Sequence, residues 1–316
     1  MSVLSDALDT YLLLRRGLGT QLRKPEVTLR RFVAFIEAQG ASVITTDLAL
    51  RFATAQASTA PATRAQRLGD VRRFAAFRSV TDPRTEIPPR GLLPERYRRC
   101  PPYIYGDEEI ARIVEVAARL PSPVGLRGHT CATLFGLLAS TGMRLGEALG
   151  LDRDDVDLST GILTIRRAKS GKSRLVPAHE TTTAALARYG RQRDRLVPRP
   201  ASPAFFLNER GRRFTQCTAR HNFVVVSRAI GLRRPTKTRH GRGPRIHDMR
   251  HALAVHVLIG WYREGRDVER ELPRLSTYLG HVHVADTYWY LEAVPELLQL
   301  ATERAARPRS PSEVLP

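Results

Sequence analysis

The sequence predicts a mainly α-helical protein: a small N-terminal helical bundle, then a larger α-rich domain that carries a small antiparallel β-sheet. Apolar residues recur at helical spacing through most of the chain, a proline-rich stretch interrupts them once, and a single segment alternates like a hairpin. A length of 316 residues suits two domains, each able to bury its own core.

Residues 1–82 read as the helical bundle. From Pro25 to Gln39, Leu29, Phe32, Val33 and Ile36 fall on one helical face. From Ala62 to Arg78, Leu68, Val71, Phe74 and Ala75 share a face, while Arg64, Arg67, Arg72, Arg73 and Arg78 occupy much of the rest. Such an arginine face is either solvated or laid along a polyanion. Residues 83–104 read as a linker, because Pro83, Pro88, Pro89, Pro94, Pro101 and Pro102 prevent a long helix and favour a semi-rigid spacer.

The second domain is expected over residues 105–305. Asp107, Glu108 and Glu109 suit a helix N-terminus. The run TCATLFGLLAS (130–140) is apolar nearly all round and reads as a buried helix. TGMRLGEALGL (141–151) turns into another helix. Ile162–Ile165 and Arg174–Val176 form strands around the turn Lys169-Ser170-Gly171-Lys172. Helices follow over about 180–195, 217–230 and 247–263, with a broken polar loop, GLRRPTKTRHGRGPR (231–245), between the last two. Thr287–Leu291 and Glu296–Arg304 read as the last helices, and 306–316 as a disordered tail.

Charge narrows the function. Lys and Arg number 51 against 31 Asp and Glu, a formal net charge of +20. That surface draws polyanions from a distance, and neutralised phosphates release counterions, so nucleic acid is the first candidate and a membrane surface the second. Cys100, Cys131 and Cys217 are scattered and odd in number, which suggests neither a disulfide framework nor a CxxC metal site. The N-terminal apolar run is short and lacks a cationic leader, and no stretch approaches a membrane span. These features suggest a soluble cytoplasmic protein associated with the nucleoid.

Taken singly, the chemistry-bearing motifs have ordinary explanations. Arg144 at a turn is commonly a surface or salt-bridged residue, and Lys169 at a hairpin tip is commonly solvated. His247 and His251 stand at i and i+4, but the glutamate of a metalloprotease helix is missing and Arg250 lies beside them. His281 and His283 form another loose pair. In order, however, Arg144, Lys169, His247-x-x-Arg250, His281 and Tyr290 make one constellation. TGMRLGEALGL, KSGKSRLVP, HDMRHALAVHVL and LGHVHVADTYWYL resemble the signature boxes of the tyrosine recombinase (phage integrase) family, particularly its mobile-element members. The likeness covers about residues 105–300. The N-terminal helices and linker are similar to the family's DNA core-binding domain only in outline.

The resemblance implies a catalytic set of Arg144, Lys169, His247, Arg250, His281 and Tyr290, supported by Glu147 and His251. Two guanidiniums can clamp a phosphate and stabilise its transition-state charge. A phenol near pKa 10 needs a base to become a nucleophile, a role for His247. Lys169 would give the leaving 5′-oxygen its proton, and His281 a hydrogen bond to a phosphate oxygen. Tyr288 is a rival nucleophile, but the nine-residue spacing from His281 favours Tyr290. Neither a metal nor another cofactor is implied. Arg64, Arg67, Arg72, Arg73, Lys172, Arg174, Lys237 and Arg239 are the expected DNA-backbone contacts. The implied partners are double-stranded DNA with specific recombination sites and further copies of the chain, as a tetramer on DNA that could include related recombinases. Strand exchange would pass through a Holliday junction. The segment Val294–Ala305, with Leu297, Leu298 and Ala301 as an apolar stripe, would dock within the chain or on a neighbour. Alternatives are a type IB-like topoisomerase, a non-catalytic DNA-binding accessory protein, and a nuclease using the histidines to hold metal.

Overall fold

The computed structural model describes residues 2–56, 58–94, 101–166, 173–234, 243–281, 283, 287–288 and 295–306. The chain forms two compact units, 1–100 and 101–316. In the first, α1 (Val3–Gly17), α2 (Arg23–Ala38), α3 (Thr46–Thr54) and α4 (Pro61–Arg78) enclose a single core. The apolar faces are those that the helical spacing predicts: Leu29, Phe32, Val33 and Ile36 of α2 and Leu68, Val71, Phe74 and Ala75 of α4 are all buried. Tyr11 lies 5.6 Å from Phe74, and Phe32 5.1 Å from Phe52, ring to ring.

The first part of the proline-rich stretch is attached to this unit. Arg72 donates from Nε to the Pro88 carbonyl (2.7 Å) and from Nη2 to the Pro89 carbonyl (2.6 Å). Glu86 accepts from the Thr46 backbone N–H (2.7 Å), and Leu93 packs on the core. Prolines hold this backbone extended, so its carbonyls stand outward as acceptors. Arg72 therefore has a structural task where the sequence suggested a DNA contact.

In the second unit, α6 (Leu126–Thr141) runs through the core, packed by α5 (Asp107–Ala118) and, further along the chain, by α8 (Glu180–Leu196) and α10 (Asp248–Arg263). The near-continuous apolar run of α6 is what such a position requires: Leu126, Cys131, Leu134, Phe135, Leu137 and Leu138 are all buried. Gly128 permits the closest approach, since a Cβ there would stand 2.3 Å from the Ala118 carbonyl oxygen of α5.

After α7 (Leu145–Gly150), a short 3₁₀ turn leads to an antiparallel sheet of β1 (Val156–Asp157), β2 (Ile162–Ile165) and β3 (Arg174–Pro177), in that order. Leu163 pairs with Val176, and Ile165 with Arg174. β1 adds a third strand to the predicted hairpin. The remaining helices are α9 (Gln216–Ala229), α11 (Val268–Leu279) and α12 (Pro295–Ala306). Leu297 of α12 is buried in a cluster with Val255, Leu258 and Leu272 of α10 and α11, and Leu300 joins its edge. Leu298, expected in the same stripe, is 52% exposed. Of the helix expected over 287–291, the described residues include Thr287 and Tyr288, both helical. No helix among the described residues is long and apolar enough to cross a membrane.

Candidate active site

The site is assembled where α7 and α10 begin and α11 ends. Gly142 closes α6 in the left-handed region (φ 61°), which turns the chain so that Arg144 takes the N-cap of α7. Glu147 reaches back one turn. Its Oε2 accepts the Arg144 backbone N–H (3.0 Å) and its Oε1 accepts Nη1 of the same residue (2.8 Å). His247 stands at the N-cap of α10, with Arg250 and His251 one turn on. Asp248, itself buried, fixes this start by accepting the Arg245 backbone N–H (2.8 Å) and its guanidinium.

The C-terminus of α11 is the meeting point. A helix leaves its last carbonyls without intrahelical partners. Here three successive ones are each taken by a different arginine. The Tyr278 carbonyl accepts Arg174 Nε (3.2 Å), the Leu279 carbonyl accepts Arg250 Nη2 (2.7 Å), and the Gly280 carbonyl accepts Arg144 Nη2 (2.9 Å). Cations also complement the negative end of the helix dipole. Arg250 donates as well from Nη1 to the Gly142 carbonyl (2.8 Å), which joins the α6 turn to the α11 turn. Gly280 then reverses the chain at φ 71°, and the His281 backbone N–H bonds to the Ser276 carbonyl (3.0 Å). The His281 ring meets the buried Thr287 through an Nδ1–Oγ1 contact of 2.8 Å.

Two guanidiniums, of Arg144 and Arg174, thus pair with one carboxylate, Glu147, while the third, of Arg250, is bonded to the same helix end. Burial alone pushes the Glu147 carboxyl up, but hydrogen bonds from Arg174 and Arg144 outweigh it and hold the group at about 2. The cluster keeps a surplus of positive charge that an anion would neutralise. Arg144 offers the exposed part, with 28% of its side chain accessible, whereas Arg250 is 2% exposed.

Burial, and then the neighbouring Arg250 cation, lower the pKa of His247. The His251 ring packs edge-to-face on it, 4.9 Å away, and burial followed by the His247 charge brings His251 down to about 4. At neutral pH His247 can therefore accept a proton. Both groups are depressed in the fold, so their contribution to stability is complete above about pH 6.5. It falls as pH drops from there towards pH 4, where the unfolded chain binds the protons first. Unfolding melts at pH 7.5 and pH 5 should show this loss, and His251→Asn should make the pH dependence shallower. An equal slope in the variant contradicts the assignment.

Gly280 supports a second prediction. A Cβ there would stand 2.6 Å from Arg174 Nη1 and 2.7 Å from Cζ, in a backbone region that costs an L-residue about 1–2 kcal/mol. Gly280→Ala should lower unfolding free energy by at least that amount in a denaturant titration and should slow any reaction at the site. Unchanged stability would mean that the turn is not held as described.

The structure brings together Arg144, Glu147, His247, Arg250, His251 and His281 from the sequence-predicted set. Arg174, read there as a DNA contact, is turned inward: its side chain is 13% exposed and is paired with Glu147. Of the other expected DNA contacts, Arg67 reaches Gln56 (3.3 Å) and Arg73 pairs with Asp70, both on the first unit. Lys169, Lys172, Lys237, Arg239 and Tyr290 lie outside the described residues, while Tyr288 is 47% exposed. Sequence reasoning missed Gly280, Thr287 and the α11 carbonyls. The Leu279-Gly280 pair is the helix-end signal that could have revealed the first and the last.

Comparison with known proteins agrees with this architecture. The model of the phage integrase family matches residues 106–296, more than half of the chain. The integrase/recombinase y4rB of Sinorhizobium fredii is 47% identical over 311 residues, covering 97% of this chain and 98% of its own. Among solved structures, the Tn1549 transposon integrase in complex with transposon right end DNA superposes with a TM-score of 0.60 at 15% identity, covering 95% of this chain and 99% of its own. A lambda integrase tetramer bound to a Holliday junction gives 0.59 at 16% identity, covering 89% and 77%.

Proposed function

From the chain's membership of the phage integrase family, as a tyrosine recombinase that breaks and rejoins DNA, we infer that it is a site-specific recombinase acting through a 3′-phosphotyrosine intermediate. The observation that carries this reading is the convergence of Arg144 and Arg250 on the turn that presents His281, with more positive charge than Glu147 neutralises.

The proposed chemistry follows from the charges. The Tyr290 oxygen attacks the scissile phosphorus while His247, neutral at pH 7, takes the phenol proton. The guanidiniums of Arg144 and Arg250 hold the non-bridging oxygens, whose charge grows in the transition state. The P–O bond to the 5′-oxygen breaks, and Lys169 protonates the leaving group. His281 donates a hydrogen bond to the phosphate. One phosphoester replaces another, so the 5′-hydroxyl of a second strand can reverse the attack without ATP. Thr287, three residues before Tyr290 in the sequence, shares a contact with His281.

In this reading the first unit binds DNA beside the exchange point. Arg64, Arg67, Lys172, Lys237 and Arg239 meet the backbone, and strand exchange takes place in a tetramer through a four-way junction. The lambda integrase tetramer on a Holliday junction supports that assembly.

A nicked DNA duplex carrying the recombination site, incubated with the protein in EDTA, tests the reading. The expected result is a covalent adduct on a denaturing gel whose modified peptide contains Tyr290, with Holliday-junction products when two sites are present. Absence of the adduct, or its dependence on a divalent metal, overturns the proposal. An adduct without junctions points instead to a topoisomerase.

A further inference from the structure

We propose that Arg174 is a positioning residue for strand cleavage: it holds Arg144 and the His281 turn at the spacing a phosphate requires, and does not itself meet DNA. The proposal rests on the recombinase reading above and adds a residue to it.

Three observations on the Arg174 side chain carry this inference. First, all three of its nitrogens are committed to protein acceptors. Nη1 donates to Glu147 Oε1 (3.1 Å), Nη2 to Oε2 (2.8 Å), and Nε to the Tyr278 carbonyl (3.2 Å). The pair with Glu147 is the parallel two-bond arrangement that fits a guanidinium to a carboxylate. Second, Glu147 has no acceptor capacity left over. Each of its oxygens receives two hydrogen bonds, one from Arg174 and one from Arg144, so the carboxylate is a rigid link between the two arginines. Third, the guanidinium packs on Gly280, where even a methyl group would collide with it.

Arg174 shares the inward face of β3 with buried Val176, which accounts for its direction. From there it joins three elements: the sheet, the N-terminus of α7 that carries Arg144, and the end of α11 that carries His281. Removing it would leave Glu147 two hydrogen bonds short and release the Tyr278 carbonyl, so Arg144 and the turn could drift apart. Lysine keeps the charge but offers a point donor where a fork is required.

Single-turnover cleavage of the nicked duplex at saturating protein, paired with DNA affinity measured across a KCl series, tests the proposal. For Arg174→Lys, cleavage should slow by roughly tenfold to a hundredfold, the scale of a misplaced catalytic group. DNA affinity and its salt slope should stay at the wild-type values. In an Arg144→Lys background the same change should cost much less, because both substitutions disturb one clamp. Wild-type cleavage by Arg174→Lys overturns the proposal. So does a loss that tracks weaker binding with a shallower salt slope, which would make Arg174 a phosphate contact. So do losses that simply multiply. Should Arg174→Lys fail to fold, as judged by melting, Glu147→Gln decides between the same outcomes, since it weakens the link and keeps Arg174. If the wild-type protein itself forms no Tyr290 adduct, the recombinase reading fails first, whatever Arg174 does.

Discussion

Arg250→Ala is expected to slow DNA cleavage severely and to destabilise the second unit by several kcal/mol. The residue is 2% exposed and donates to the Gly142 and Leu279 carbonyls, at 2.8 and 2.7 Å. Withdrawing a donor from a buried carbonyl costs about 1–3 kcal/mol, and here two are affected. The loss of transition-state charge stabilisation adds a rate penalty of about a hundredfold to a thousandfold. The two effects separate in Arg250→Lys, which restores the charge and one hydrogen bond. Its unfolding free energy should recover in large part while cleavage stays slow. Denaturant unfolding and single-turnover cleavage, measured on the same preparations, check both. An alanine variant as stable as wild type would show that Arg250 does not hold the α6 and α11 turns together. A lysine variant with wild-type cleavage would remove Arg250 from the clamp.

Tyr290→Phe should eliminate the covalent adduct and leave DNA affinity and melting temperature intact, because only one hydroxyl oxygen is lost. Tyr288→Phe should still form the adduct. Tyr288 is about half exposed, and side chains two apart on a helix point roughly 200° away from each other, so one alone can face the phosphate. Thr287, fully buried against His281, marks the inward face. An adduct that survives Tyr290→Phe and vanishes in Tyr288→Phe would transfer the nucleophile to Tyr288 while keeping the rest of the chemistry.

α2 and α4 of the first unit were legible because their apolar residues repeat at helical spacing, and α6 because it is apolar nearly all round; α8, α9 and α10 also fall where helices were expected. α11 was not, although Val268, Leu272, Leu275 and Leu279 sit at helical spacing, because Pro273 stands inside it and its opposite face is charged. The part of the candidate site that the structure describes, Arg144, Glu147, His247, Arg250, His251 and His281, was legible as residue types in order. Its geometry was not, because it depends on backbone carbonyls brought close by tertiary packing. Arg72 shows the same limit. On paper it belongs to a basic helix face, but its partners are carbonyls 16 and 17 residues further along the chain. For Arg174 a clue did exist: strand alternation places it with Val176, on the buried side.

The end of α11 has a consequence for reading relatives of this chain. Arg144, Arg174 and Arg250 serve as its cap, so the fold needs them whatever the chemistry asks. A descendant that had stopped cutting DNA would still need them, and its arginines would survive as architecture. Within such a lineage, intact arginines would say little about whether an enzyme is alive.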